Sequence, residues 1–139
     1  MKRLGYLAVL VIWSCMGCAK TGETVPNVGV YFQATLSDPR MAPLKSIGGA
    51  VLIDGYGVAG LVIYHSPYGY VAYDRCSSYE PEKRCAVTID DNKLLVTDPC
   101  SDAKWLLQDG TPNKAPAVRS LKAYNVYIDA SRNYLTVSN

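Results

Sequence analysis

The chain has 139 residues, with 14 Lys and Arg against 12 Asp and Glu, a net charge of +2 and a single His. That length fits one domain behind a short leader. Charge so evenly balanced, without basic clusters, argues against nucleic acid as a partner.

Lys2 and Arg3 open the chain, and Leu4 to Trp13 follow as an apolar run of ten residues. This is about half of what a helix needs to cross ~30 Å of hydrocarbon, so residues 1–17 are expected to be a secretory signal. Gly17-Cys18 closes the segment. A small residue directly before Cys at the end of an apolar run resembles the acylation box of bacterial lipoproteins, with Cys18 as the lipid-bearing residue. Cys15 after Ser14 is a second acceptor, behind a shorter apolar stretch. An ordinary signal peptide needs only a small-x-small cleavage site and no cysteine. Two acyl chains, palmitate-like, hold a protein stably at a membrane without spanning it. The membrane is therefore an expected partner through Cys18, and the location a bacterial cell envelope, periplasmic or outer-membrane. Residues 18–27 are polar, with Gly and Pro, as a tether should be. The domain proper is expected over 28–139. Removing Lys2 and Arg3 with the leader leaves 12 basic and 12 acidic side chains.

From Val28 onward the apolar residues keep the two-residue period of strands and are rich in Val, Ile, Tyr and Thr. Residues 28–36 alternate, and SDPRMAP (37–43) breaks the pattern with two prolines. Segments 48–54 and 58–66 flank Gly55-Tyr56-Gly57, a hairpin signal. SPYG (66–69) turns the chain into 70–75. Strands 85–90 and 93–98 flank Asp91-Asn92, and WLLQ (105–108) is a short strand closed by Asp109-Gly110. Segments 119–129 and 133–138 form a last hairpin. No window beyond the leader keeps a helical apolar face. The fold class is all-β, about nine short strands in a small antiparallel sandwich or partly open barrel.

Three irregular loops remain: CSSYEPEKRC (76–85), DPCSDAK (98–104) and the two-proline GTPNKAPA (110–117). The first two hold every cysteine after Cys18, namely Cys76, Cys85 and Cys100. Outside the cytoplasm a pair of cysteines defaults to a disulfide, and an odd count leaves one thiol over.

These loops resemble the Rieske iron–sulfur domain, in particular Rieske-like bacterial lipoproteins. A Rieske [2Fe–2S] cluster takes two Cys on one iron and two His on the other. The family's loops read Cys-x-His and Cys-x-x-His, the second often as Cys-Pro-Cys-His-Gly-Ser-x-Phe, with a proline-rich third loop covering the cluster. Here Tyr73-Asp74-Arg75-Cys76 resembles the entry to the first loop, with Cys76 at the ligand-cysteine position and Ser78 at the ligand-histidine position. Pro99-Cys100 and Trp105 match the second loop, which puts Asp98 at the ligand-cysteine position and Ser101 at the ligand-histidine position. Lys114-Ala115-Pro116-Ala117, then Leu121 and Tyr124, follow the covering loop and its strand. Three of the four ligand positions have therefore changed type. With His65 as its only histidine, the chain cannot assemble a two-histidine iron site within one molecule.

The resemblance implies an interaction or structural module of the envelope with an unidentified protein partner, no cofactor and no enzymatic activity. It also implies a disulfide, because respiratory Rieske proteins join these loops by one. Cys85 and Cys100 match its positions, with Cys76 and Cys100 as the competing pair. Two metal readings stand beside it. One is electron transfer through an atypically ligated [2Fe–2S] cluster using Cys76, Cys100 and Asp98, with His65 if its strand end lies close. The other is zinc on Cys76, Cys85, Cys100 and Asp98. The tyrosines of 64–73 read either as sugar-stacking residues or as core, and Asp90-Asp91-Asn92 reads as a hairpin turn rather than a calcium loop.

Overall fold

The computed structural model describes residues 23–139; the leader 1–17 and Cys18 lie outside them. Ten strands follow in chain order: β1 (Tyr31–Thr35), β2 (Ala50–Ile53), β3 (Leu61–Ser66), β4 (Gly69–Asp74), β5 (Thr88–Ile89), β6 (Leu95–Thr97), β7 (Lys104–Leu106), β8 (Pro112–Lys114), β9 (Ala123–Asp129) and β10 (Tyr134–Ser138). The first sheet has the order β1-β10-β9-β4-β3-β2, and the second the order β5-β6-β7-β8. Every pairing is antiparallel. The small sheet is an insertion between β4 and β9, and it carries the two cysteine loops.

The alternating pattern does what period two requires. Phe32 and Ala34 of β1 and Leu135 and Val137 of β10 all turn into one core, with Met41, Leu44, Leu61 and Ile63. A second core lies between the two sheets: Val62 and Tyr64 of β3 and Tyr73 of β4 meet Val87, Val96, Trp105 and Leu107. β3 is thus covered on both faces. That is why its Leu61-Val62-Ile63-Tyr64 run is apolar without interruption and wholly buried.

Several boundaries differ from expectation. The proline break after β1 is a 3₁₀ helix, Pro39–Lys45, capped by the Asp38 side chain on the Arg40 N–H (2.8 Å) and burying Met41 and Leu44. Gly55-Tyr56-Gly57 is not a tight hairpin. Ile53 pairs with Leu61, so the connection spans all of 54–60. The tight turn is at 66–69, where Ser66 pairs with Gly69 and Ser66 Oγ donates to the Gly69 carbonyl (2.7 Å). The expected loop 110–117 contains β8, an edge strand on β7 opened by Pro112.

Candidate functional site

Both cysteine loops leave strands through the same three-residue device. Asp74, the last residue of β4, accepts from the Cys76 N–H (2.8 Å), and Asp98, just after β6, accepts from the Cys100 N–H (2.8 Å). An Asp that bonds the backbone two residues on is an Asx turn. Here both aspartates are also buried, at 0% and 1% exposure. A buried carboxyl group must find further donors.

Asp98 finds them in the two loops. Ser101 Oγ donates to its Oδ2 at 2.6 Å, and Ser77 Oγ of the first loop lies 2.8 Å from the same oxygen. Ser77 is also 3.0 Å from the Tyr79 carbonyl, and its single proton serves these two acceptors. Asp98 therefore joins the loops from inside. Beside it, the Cys85–Cys100 disulfide joins them covalently, with Cα atoms 6.3 Å apart, inside the usual span. The competing Cys76–Cys100 pairing is not formed, and Cys76 is a free, buried thiol.

The remaining positions serve packing. Ser78 Oγ and Trp105 Nε1 both donate to the Arg119 carbonyl (2.8 and 2.7 Å), which ties the covering segment to both loops. Cys76 Sγ lies near the Ser77 and Pro81 carbonyls (3.7 and 3.6 Å). Burial, then the Asp74 carboxyl, pushes its thiol up to about 11, the reverse of what a thiolate ligand or nucleophile needs.

Asp74 is the functional residue that sequence reasoning missed. It accepts from the Val58 and Ala59 N–H groups (2.6 and 3.1 Å) and from the Tyr124 hydroxyl (2.8 Å), so it closes the 54–60 connection against β4 and β9. Gly57 makes this approach possible. Its φ is +64°, and a Cβ there would sit 2.3 Å from Asp74 Oδ2. The repeated Asp-x-Cys at 74–76 and 98–100 was the available signal.

His65 does not join the loops. It sits on β3 four residues beyond Leu61, which pairs with Asp74 at the loop end. Its Nδ1 lies 2.8 Å from the Leu44 carbonyl, which can only accept, and its ring stacks on Tyr70 with centroids 4.2 Å apart. Of the tyrosines in 64–73, Tyr64 and Tyr73 are core residues, as one of the two readings has it, and Tyr68 stands free at 86% exposure. Asp90 turns its carboxyl to Lys104 and Thr97, as a hairpin residue.

The donor set does not fit a Rieske cluster. The positions expected from the sequence to correspond to cluster ligands hold Cys76, Ser78, Asp98 and Ser101, of which the last three are engaged in the bonds just described. Among the described residues, no buried side-chain nitrogen or oxygen is left without a partner. Among the described residues one metal-like grouping exists: ligand atoms of Cys85, Asp98 and Cys100 all lie within 4.8 Å of one another. Two of these are the disulfide sulfurs, and Cys76 is not among them.

No family model matches the sequence, and no curated protein matches it. Solved structures do. The plasma-membrane Rieske protein PetC3 of the cyanobacterium Synechocystis PCC 6803 is similar over 81% of this chain and all of its own, at 20% identity and a TM-score of 0.56. The ferredoxin of carbazole 1,9a-dioxygenase from Nocardioides aromaticivorans IC177 is similar over 80% of this chain and 97% of its own, at 17% identity and a TM-score of 0.50. A ferredoxin in complex with its carbazole 1,9a-dioxygenase oxygenase gives 17% identity, coverage of 78% and 93%, and a TM-score of 0.52. The chain carries the Rieske-like fold. Among the described residues no helix is long and apolar enough to cross a membrane.

Proposed function

We propose that this protein is a lipid-anchored, non-enzymatic module of the bacterial cell envelope, and that it acts by engaging an envelope protein. In its Rieske-like frame the Asp98 carboxyl group bridges the two loops in place of the [2Fe–2S] cluster, next to a disulfide that cluster-bearing relatives of the fold also use. One observation carries the reading: Asp98, at a cluster-ligand position, has its oxygens taken by Ser77, Ser101 and the Cys100 N–H, beside the Cys85–Cys100 bond. A cluster bridges two loops, and here a buried carboxyl group and a disulfide bridge the same loops. The anchor rests on the apolar run before Gly17-Cys18. The test is iron and acid-labile sulfide analysis, with absorbance and EPR, on protein made with iron supplied and purified anaerobically. No cluster is expected, and a Rieske-type signal near one cluster per chain would overturn the reading.

A second reading is favoured by the Cys85, Asp98 and Cys100 grouping. Two electrons and two protons from a dithiol reductant would open the disulfide and leave two thiols beside a carboxyl group. These could ligate an atypical iron–sulfur cluster for electron transfer, or zinc. Reconstitution with iron and sulfide after reduction separates the readings. Stoichiometric, stable iron in the reduced protein alone supports the second one.

A further inference from the structure

The chain enters the described domain at its loop end, and it is strapped there. Arg119 Nη1 donates to the Glu23 carbonyl (2.6 Å), and Lys122 Nζ to the Asn27 side-chain oxygen (2.8 Å). Asn139 Nδ2 donates to the Val28 carbonyl (2.9 Å), and the Val30 N–H to Asn139 Oδ1 (2.8 Å). Residues 23–30 are therefore pinned along their length. Thr24 and Val25 face Ser78, Arg119, Ser120 and Lys122 across a cleft of about 190 Å³. The first described residue thus sits beside the segment that covers both cysteine loops.

Cys18 lies five residues before Glu23. Whatever their conformation, five residues reach at most about 18 Å. A domain of this size has a radius of gyration of roughly 13 Å, hence a diameter of roughly 35 Å. A tether shorter than the domain and fastened at one end of it cannot turn that end away from the bilayer. We infer that the loop end, at Val118, Arg119 and Ser120, lies against the lipid headgroups, with the 66–69 turn directed away. This rests on the lipid-anchor reading above. The exposed chemistry of the end agrees. Val118 is 77% exposed, more than any other large aliphatic residue described, and Arg119 and Lys122 stand beside it. An apolar residue flanked by cations suits the boundary between headgroups and acyl chains. The cysteine loops at this end also carry Glu80, Glu82 and Asp102, of which Glu80 is paired with Lys83 and Asp102 with Lys114.

The test uses the acylated full chain in phosphatidylethanolamine–phosphatidylglycerol vesicles that contain a headgroup-linked quencher. A fluorophore is attached at Val118→Cys or, as the distal control, at Tyr68→Cys. Quenching at 118 is expected to exceed that at 68 several-fold. Arg119→Ala together with Lys122→Ala frees residues 23–27 and leaves only the Asn139 bonds to Val28 and Val30. This double variant should move the ratio towards one, and Arg119→Lys with Lys122 intact should keep part of it. Amide exchange of the unsubstituted protein gives a second readout. Residues 117–121 should exchange more slowly on vesicles than in the soluble Cys18→Ser form, with 66–69 unchanged. Equal quenching at both sites, or more at 68, in protein whose N-terminal peptide has the acylated mass overturns the orientation and leaves the anchor standing. If that peptide carries no acyl chain, the anchor and the orientation fall together.

Discussion

Asp74 and Asp98 share a local design and differ in what they hold. Asp74 ends β4 and Asp98 directly follows β6; each precedes a cysteine by two residues and accepts that cysteine's N–H at 2.8 Å. Asp74 then reaches into the large sheet, to the N–H groups of 58 and 59 and the Tyr124 hydroxyl. Asp98 reaches across the loops, to Ser77 and Ser101. One carboxyl group closes a sheet and the other joins two loops. The same Asx turn can be scaffold or site, depending on which donors the fold brings to its free oxygens.

Asp74→Ala should break the scaffold half of this comparison. It leaves four donors at buried or half-buried positions unpaired, and each such loss costs about 1–3 kcal/mol. The total is comparable to the whole stability of a small domain, roughly 5–15 kcal/mol. Urea titration should show a protein that is barely folded or unfolded at 25 °C. Gly57→Ala should reproduce part of the loss by pushing on Asp74 Oδ2. Near-native stability of Asp74→Ala would show that Asp74 does not hold the large sheet together.

Opening the disulfide attacks the loop half. Closing a loop of 15 residues is worth about 3 kcal/mol in the chain-entropy model. Cys100→Ser should therefore lower the Tm by on the order of 10 °C, as should reductant on the wild type. EDTA should leave the melt unchanged. The reverse pattern, sensitivity to EDTA and none to reductant, would replace the disulfide reading by zinc.

Asp98→Asn comes next. One oxygen becomes a donor facing hydroxyl protons that must then reorganise, at about 1.5–3 kcal/mol. Because Cys100 N–H is bonded to Asp98, the cost should not add to that of Cys100→Ser. A double-mutant cycle should return a coupling of about 0.5–3 kcal/mol. Strict additivity would mean that the carboxyl group and the disulfide hold the loops independently.

Much of this architecture is legible in the amino-acid sequence. Period-two alternation marks most of the strand segments because burial on one face writes itself into neighbouring residues, and β3 shows instead as the unbroken apolar run of a strand covered on both faces. The features that are not legible depend on distant partners. Asp74 looks like any strand-end Asp, since its donors come from 58, 59 and 124. β8 is hidden by Pro112, which an edge strand tolerates because the missing N–H faces away from the ladder. Residues 23–27 read as a plain polar tether, and only Arg119 and Lys122 make them otherwise.

Cys76 stands between the two aspartates and gives the smallest and most selective test. Its N–H bonds Asp74, while its thiol, buried against the first loop, is pushed up to about 11 by burial first and the Asp74 carboxyl next. In the unfolded chain the thiol ionises near 9.0. Folding therefore disfavours the thiolate. The stabilisation is fully present below pH 9 and is lost as pH rises from about 9 to about 11. Cys76→Ala keeps the backbone bond to Asp74 and removes the titrating group. At pH 7 it should cost little, on the order of 1 kcal/mol for a small buried side chain. Between pH 9 and 11 its stability should fall less steeply than the wild type's. Tyr73, raised by burial, is present in both proteins and cancels in the difference. Tyr124, raised by burial first and also by the Cys76 charge, loses the latter part of its shift with the thiol, which flattens the variant's alkaline slope further. Alkylation in native buffer at pH 8 should be slow for the same reason. Fast alkylation there, or identical alkaline slopes, would mean that Cys76 is a reactive thiol near the surface, and the loop end would have to be read again as a site with a free ligand.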